Sequence, residues 1–166
     1  MNFKKATTDD CELICSIAAE IWAPTYSNLM SKRQLDYMFE MMYSPDNLRK
    51  AMTEGGQNFM IFSLENAENV GYVAYEILPE NDFYLQKIYL KTALQGSGRG
   101  KMMLEGLLEH LKTVNPAARR LGLNVNRQNI KAVCFYLRNG FEIVSRRDHP
   151  IGEGFFMNDY VLEREI

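Results

Sequence analysis

The chain has 166 residues, 46% of them hydrophobic and 24% charged, with a net charge of −2. That is the make-up of one ordinary domain, 1–166, large enough to need neither metal nor disulfide to hold it together. No run nears the roughly 18 apolar residues of a membrane span, and Lys4 and Lys5 lead into Asp9, Asp10 and Glu12 rather than an apolar signal region.

Three cysteines, Cys11, Cys15 and Cys134, match no zinc spacing and are odd in number. They read as reduced thiols of a cytoplasmic protein that holds no metal and has no membrane partner.

The elements follow in order. Thr8 and an acidic turn start a helix that runs to about Trp22, with Leu13, Ile14, Ile17 and Ile21 on one face. Pro24 is expected to end it. Ser31 caps a second helix to Tyr43, and Ser44-Pro45 opens a short third one to Met52. After the Gly55-Gly56 break, β-rich stretches at 59–64, 70–78 and 83–90 are separated by turn residues, as in an antiparallel meander. A glycine-rich loop at 96–100 then leads into a helix to Leu111. A strand at 121–125 and a helix at 131–138 follow, the latter closed by Asn139-Gly140. Strands at 141–145 and 155–162 finish the chain, with His149 in the loop between them. Strand, helix and strand around the glycines form a crossover, so those two strands run parallel. The fold class is α/β: a mixed, mostly antiparallel sheet flanked by helices.

Charge is unevenly spread. Positions 86–138 hold ten Lys and Arg against Glu105 and Glu109, so that segment carries +8 and the rest −10. A basic block suits phosphates, and an acidic remainder suits a cationic second ligand. The basic residues lack interleaved aromatics, so nucleic acid is not an expected partner.

The loop Gln95-Gly96-Ser97-Gly98-Arg99-Gly100 joins a strand directly to a helix. Its glycines permit positive φ and close approach of a ligand, and the helix behind it aims free N–H groups outward, which suits a pyrophosphate. A P-loop would need glycine where Gln95 stands and Ser or Thr where Met102 stands. A dinucleotide fingerprint would need glycine where Lys101 stands. Gln95, Gly98 and Gly100 instead fit the pattern Q/R-x-x-G-x-G/A, after Lys87-Ile88-Tyr89-Leu90. Further on, Asn129, Ala132, Phe135, Tyr136, Gly140 and Phe141 fit N-x-x-A-x-x-[FL]-Y-x-x-x-G-F. Both segments, in this order, resemble the GNAT superfamily of N-acetyltransferases, and the stretch through Met41-Met42-Tyr43-Ser44-Pro45 is similar to bacterial members near the polyamine acetyltransferases.

The resemblance implies acetyl-CoA as cosubstrate. Main-chain N–H groups of Gln95, Gly96, Ser97, Gly98, Arg99, Gly100 and Lys101 would hold the pyrophosphate. The backbone of Ile88, Tyr89 and Leu90 would pair with the pantetheine arm between splayed strands. Arg99, Lys101 or Lys131 would reach the outer phosphates, Asn129 would bond the arm, and Tyr136 would protonate the departing thiolate. On the residues alone, Tyr136 reads first as a core aromatic with its hydroxyl at the surface. A direct attack in a ternary complex fits better than an acetyl-cysteine, because Cys134 lies well round its helix from Tyr136.

The amine acceptor must lose a proton first, and Glu76 is the candidate base, though it also reads as a solvent-facing strand carboxylate. Trp22, Tyr26 and His149 are candidates for the acceptor pocket, and Met38, Met41 and Met42 fit either a pocket wall or a core. The acceptor reads as a small-molecule amine, first a polyamine, with a protein N-terminus, an amino acid or an antibiotic as alternatives. A non-catalytic acyl-CoA-binding protein and a nucleotide-binding module are the competing classes. A homodimer stays open.

Overall fold

The computed structural model describes residues 2–80 and 82–166; Asn81, one of the expected turn residues, lies outside them. Seven strands form one mixed sheet: β1 (Asn2–Lys5), β2 (Asn58–Ser63), β3 (Asn69–Ile77), β4 (Phe83–Leu90), β5 (Arg120–Asn126), β6 (Glu142–Gly152) and β7 (Phe155–Glu165). Their order is β1-β2-β3-β4-β5-β7-β6. Helices α1 (Cys11–Tyr26), α2 (Lys32–Tyr43) and α3 (Pro45–Thr53) cover one face, and α4 (Arg99–Val114) and α5 (Ile130–Arg138) the other.

Each face holds its own core. Phe83, Leu85 and Leu90 of β4 join Met103, Leu107 and Leu111 of α4 on one side. On the other, Phe59 and Tyr72 pack with Ile14, Ile21 and Trp22 of α1 and Tyr43 of α2. Phe59, Met60, Ile61 and Phe62 are all buried because β2 has helices on both sides.

The expected crossover is present: β4 and β5 are parallel, and the other neighbouring pairs are antiparallel. The parallel pairing covers only Phe83↔Leu121, Tyr84↔Gly122 and Leu85↔Leu123. Asp82 fixes that end, accepting from the N–H groups of Arg119 and Arg120 and from Arg120 Nε, each at 3.0 Å. Past Leu85 the strands diverge. At the same point β4 carries a bulge, since Ala74 faces Lys87 while Tyr75 faces Leu85, leaving Gln86 as the extra residue.

Several expectations need correction. Pro24 does not end α1 but sits in its last turn, the helix continuing to Tyr26. Near the C-terminus few later N–H bonds depend on it; Thr25 Oγ1 bonds the Ile21 carbonyl at 2.7 Å and Ser27 N–H the Ala23 carbonyl at 3.0 Å. Thr8 opens a 3₁₀ turn rather than the α-helix itself. β1, not foreseen, adds an edge through Phe3, whose ring packs on Phe62 at 4.2 Å between centroids. β6 runs on to Gly152, so His149 lies on a strand opposite Met157, not in a loop.

Candidate functional site

A cavity of about 930 Å³ runs along the divergence of β4 and β5, from the glycine loop to the outer strands. At one end stands the start of α4. Gly98 is its N-terminal cap at φ +83°, and Gly96 is at +80°. A Cβ at either would meet nothing within 4 Å, so these glycines serve backbone shape and leave open room beside it. Gly100 is different: its φ is ordinary and a Cβ there would reach the Phe135 ring at 3.5 Å. The first intrahelical bond is Met102 N–H to the Gly98 carbonyl at 3.1 Å, so the N–H groups of Arg99, Gly100 and Lys101 precede any helical acceptor. Free N–H groups at the positive end of a 16-residue helix constitute an anion site.

Gln95 anchors this loop. Its Nε2 donates to the Leu90 carbonyl at 2.9 Å and its Oε1 accepts from Lys131 Nζ at 2.6 Å. Ile88, Tyr89, Leu90, Gln95, Gly96, Gly98, Gly100, Lys101, Asn129 and Lys131 all line the cavity. Ser97 and Arg99 do not: the Ser97 hydroxyl bonds the Leu94 carbonyl and accepts from Arg99 Nη1. Lys131 is committed to Gln95 and Lys101 faces Glu105 at 3.6 Å.

Asn129 caps α5, its Oδ1 accepting from Ala132 N–H at 3.2 Å. Tyr136, 8% exposed, lines the cavity between the rings of Phe135 and Phe141. Burial, with a smaller effect from Tyr26, pushes its hydroxyl pKa well up, so the phenol keeps its proton at neutral pH.

Tyrosines crowd the middle of the cavity. The Tyr26 and Tyr89 hydroxyls are 2.9 Å apart, and Trp22 packs on Tyr26 with ring centroids at 4.4 Å. Burial raises the pKa of both phenols, which therefore act only as neutral hydrogen-bonding groups.

Trp22, Tyr26, His149, Met38 and Met42 line the second half, as does Glu76, whose Oε1 accepts from Gln86 Nε2 at 3.0 Å. Met41 is 38% exposed and is not part of the wall. The expected acidic lining is thinner than the −10 balance suggests. Among the described residues only Glu76 and Asp159 supply carboxylates, and Arg147 lines the same end. Several other acids, among them Asp9, Glu12 and Asp36, stand exposed on helical turns away from the cavity.

Two groups escaped the sequence reading. Lys87, 9% exposed, donates to Gln57 Oε1 at 2.9 Å and lies within 6.0 Å of the Tyr43 and Phe59 ring centroids. Burial lowers its pKa to about 8. Asp159 of β7 is fully buried on the cavity wall, and neither oxygen has a hydrogen-bond partner among the described residues. No pattern in 155–162 marks it; it looks like one polar residue in an outer strand.

The family profile for the acetyltransferase (GNAT) domain matches residues 26–157. The chain belongs to the GNAT acetyltransferase family. This GNAT chain is 25% identical over 146 residues to a spermidine N(1)-acetyltransferase of Thermoplasma acidophilum, covering 86% of this chain and 89% of that protein. It is 31% identical over 104 residues to a spermine/spermidine N(1)-acetyltransferase of Bacillus subtilis, covering 58% of this chain and 63% of that one. In fold it superposes on the PaiA N-acetyltransferase of T. acidophilum, solved in complex with coenzyme A, with a TM-score of 0.79 and 22% identity over 99% of this chain and 98% of that one. As a GNAT member the chain is an N-acetyltransferase, with the mixed sheet and parallel β4–β5 pair expected of it. Among the described residues no helix is long and apolar enough to cross a membrane.

Proposed function

We propose that this protein moves an acetyl group from acetyl-CoA to a primary amine by direct attack in a ternary complex, and that the amine is a polyamine. The observation that carries the reading is the single cavity joining the start of α4 to the end that holds Glu76 and Asp159. An anionic donor fits one end and a cationic acceptor the other.

In this reading the N–H groups behind Gly98 bind the pyrophosphate, and the arm follows the unpaired side of β4 past Leu90. Asn129 caps α5 through Oδ1 and reaches the Tyr26 hydroxyl with its side chain, which puts its amide beside the path of the arm. The acceptor nitrogen attacks the thioester carbonyl, the C–S bond breaks, and the thiolate takes the Tyr136 proton. A positioned acid of this kind contributes on the order of a hundredfold. Glu76 stands at the acceptor end as a carboxylate for an ammonium or its proton. The relatives named for spermidine and spermine support the acceptor class, as do the tyrosines and Trp22, which suit an alkyl chain bearing cationic nitrogens.

The test is thiol release from acetyl-CoA with a panel of amines. Spermidine or spermine should exceed neutral amino acids and peptide N-termini in kcat/KM, and added salt should shrink the margin. Efficient turnover of a neutral amino acid with none of any polyamine would retire the polyamine. Thiol release with no amine in the panel would retire the amine acceptor altogether.

A further inference from the structure

We propose that Asp159 is the carboxylate that receives the reacting ammonium of the acceptor and takes its proton before attack. The inference rests on the acetyl-transfer reading and adds to it the group that frees the nucleophile.

Asp159 occupies the middle of β7, with Asn126 of β5 and Arg147 of β6 as its register partners. It is 0% exposed, it lines the cavity, and both carboxylate oxygens lack a hydrogen-bond partner among the described residues. A buried carboxylate in that state is costly unless a cation or a proton meets it. The neighbouring His149 Nδ1 is also buried without a partner. Two unpartnered polar groups on one wall mark a place where the ligand completes the bonding.

Glu76 is differently placed. It is partly exposed and already bonded to Gln86, so it suits a distal ammonium rather than the reacting one. Glu76 is the register partner of Tyr84, which also feels the charge of Asp159, so both carboxylates lie near this ring and can hold two nitrogens of one acceptor.

The charged surroundings are mixed. Arg147, Asp148 and His149 come from β6, Arg127 from the turn just after β5, Tyr26 from α1 and Tyr84 from β4. Arg127 is spent on Asp148 at 2.6 Å. Burial raises the Asp159 pKa, and the cations nearby only partly oppose this. A carboxylate so tuned is a better proton acceptor than an exposed one.

The step balances. The ammonium gives one proton to Asp159, and its lone pair forms the N–C bond. As the C–S bond breaks, the thiolate takes the Tyr136 proton and the second nitrogen proton restores the phenol. Asp159 then releases its proton to solvent.

Asp159→Asn keeps the shape and removes the charge. Expected results are at least a hundredfold loss of kcat/KM for spermidine, unchanged CoA affinity, and loss of the acid limb of the wild-type pH profile. Its melting temperature should equal or exceed that of the wild type, since an unpaired buried charge is gone; should it fail to fold, Asp159→Ser serves the same measurements. Calorimetric titration of spermidine into the CoA-saturated protein separates the two readings. Binding that depends on Asp159, in a wild type that transfers no acetyl group, sinks acetyl transfer and keeps the ammonium site. Spermidine binding and turnover in Asp159→Asn within twofold of wild type overturn the assignment and leave acetyl transfer standing. No spermidine binding by the wild type overturns both the polyamine and this site.

Discussion

Lys131 Nζ donates to Gln95 Oε1 at 2.6 Å, tying α5 to the loop that starts α4, while the other end of the same amide holds the Leu90 carbonyl at 2.9 Å. One side chain thus sets the spacing between the divergent end of β4, the glycine loop and the late helix. Gln95→Ala should lower acetyl-CoA affinity about tenfold, or about 1.4 kcal/mol, through loss of that spacing. Lys131→Met removes only one of the two bonds and should cost less. Calorimetry with CoA measures both, and equal affinities across the three proteins would refute the coupling.

Gly98 and Gly100 should respond differently to alanine. At Gly98 the positive φ strains any side chain, and the Cβ would project into open space beside the free N–H groups. Gly98→Ala should weaken CoA at least tenfold and lower the melting temperature. Gly100→Ala has an allowed φ and only an ordinary contact with Phe135, so its melting temperature should stay near wild type. A larger thermal loss at Gly100 than at Gly98 would contradict this.

Tyr136→Phe preserves the packing against Phe135 and Phe141 and removes the one proton the leaving thiolate is proposed to take. kcat should fall by on the order of a hundredfold while the dissociation constant of acetyl-CoA holds. Unchanged turnover at saturating substrate makes Tyr136 a packing residue only.

Lys87 gives a pH-dependent stability test. Burial holds its pKa at about 8, below the 10.5 of an ordinary lysine, so above pH 8 the unfolded chain binds more protons than the folded one. Stability from this group therefore rises with pH across that window, and the penalty is full below about pH 8. Lys87→Met should stabilise the protein at pH 7 by on the order of 2 kcal/mol, and the gain should shrink towards pH 10.5. Melting curves at several pH values decide it; a constant gain would mean packing, not charge, is responsible.

The glycine loop, the parallel crossover and the helix caps were readable because each depends on local chemistry. Ser31 does accept from Gln34 N–H, and Pro45 does open α3. What escaped depends on neighbours far along the chain. β1 is four exposed residues whose strand nature comes only from pairing with β2. Asp159 is marked by burial between β5 and β6, which no spacing within β7 reveals. The bulge at Gln86 also left no trace, since an extra residue merely interrupts an alternation that was never strict there.

That extra residue gives β4 two independent audiences. Before it, Phe83 and Leu85 address the α4 side and Tyr84 the opposite one; after it, Ile88 and Leu90 address α4, and Lys87 and Tyr89 face Tyr43 and Tyr72. Natural variation at Tyr84, Lys87 or Tyr89 can therefore reshape the cavity wall while the residues facing α4 stay as they are. Loss of Gln86 itself would remove the bulge and leave each of the two sets on its own face. A lineage is accordingly free to reshape one side of the cavity by drifting at alternate positions of one strand.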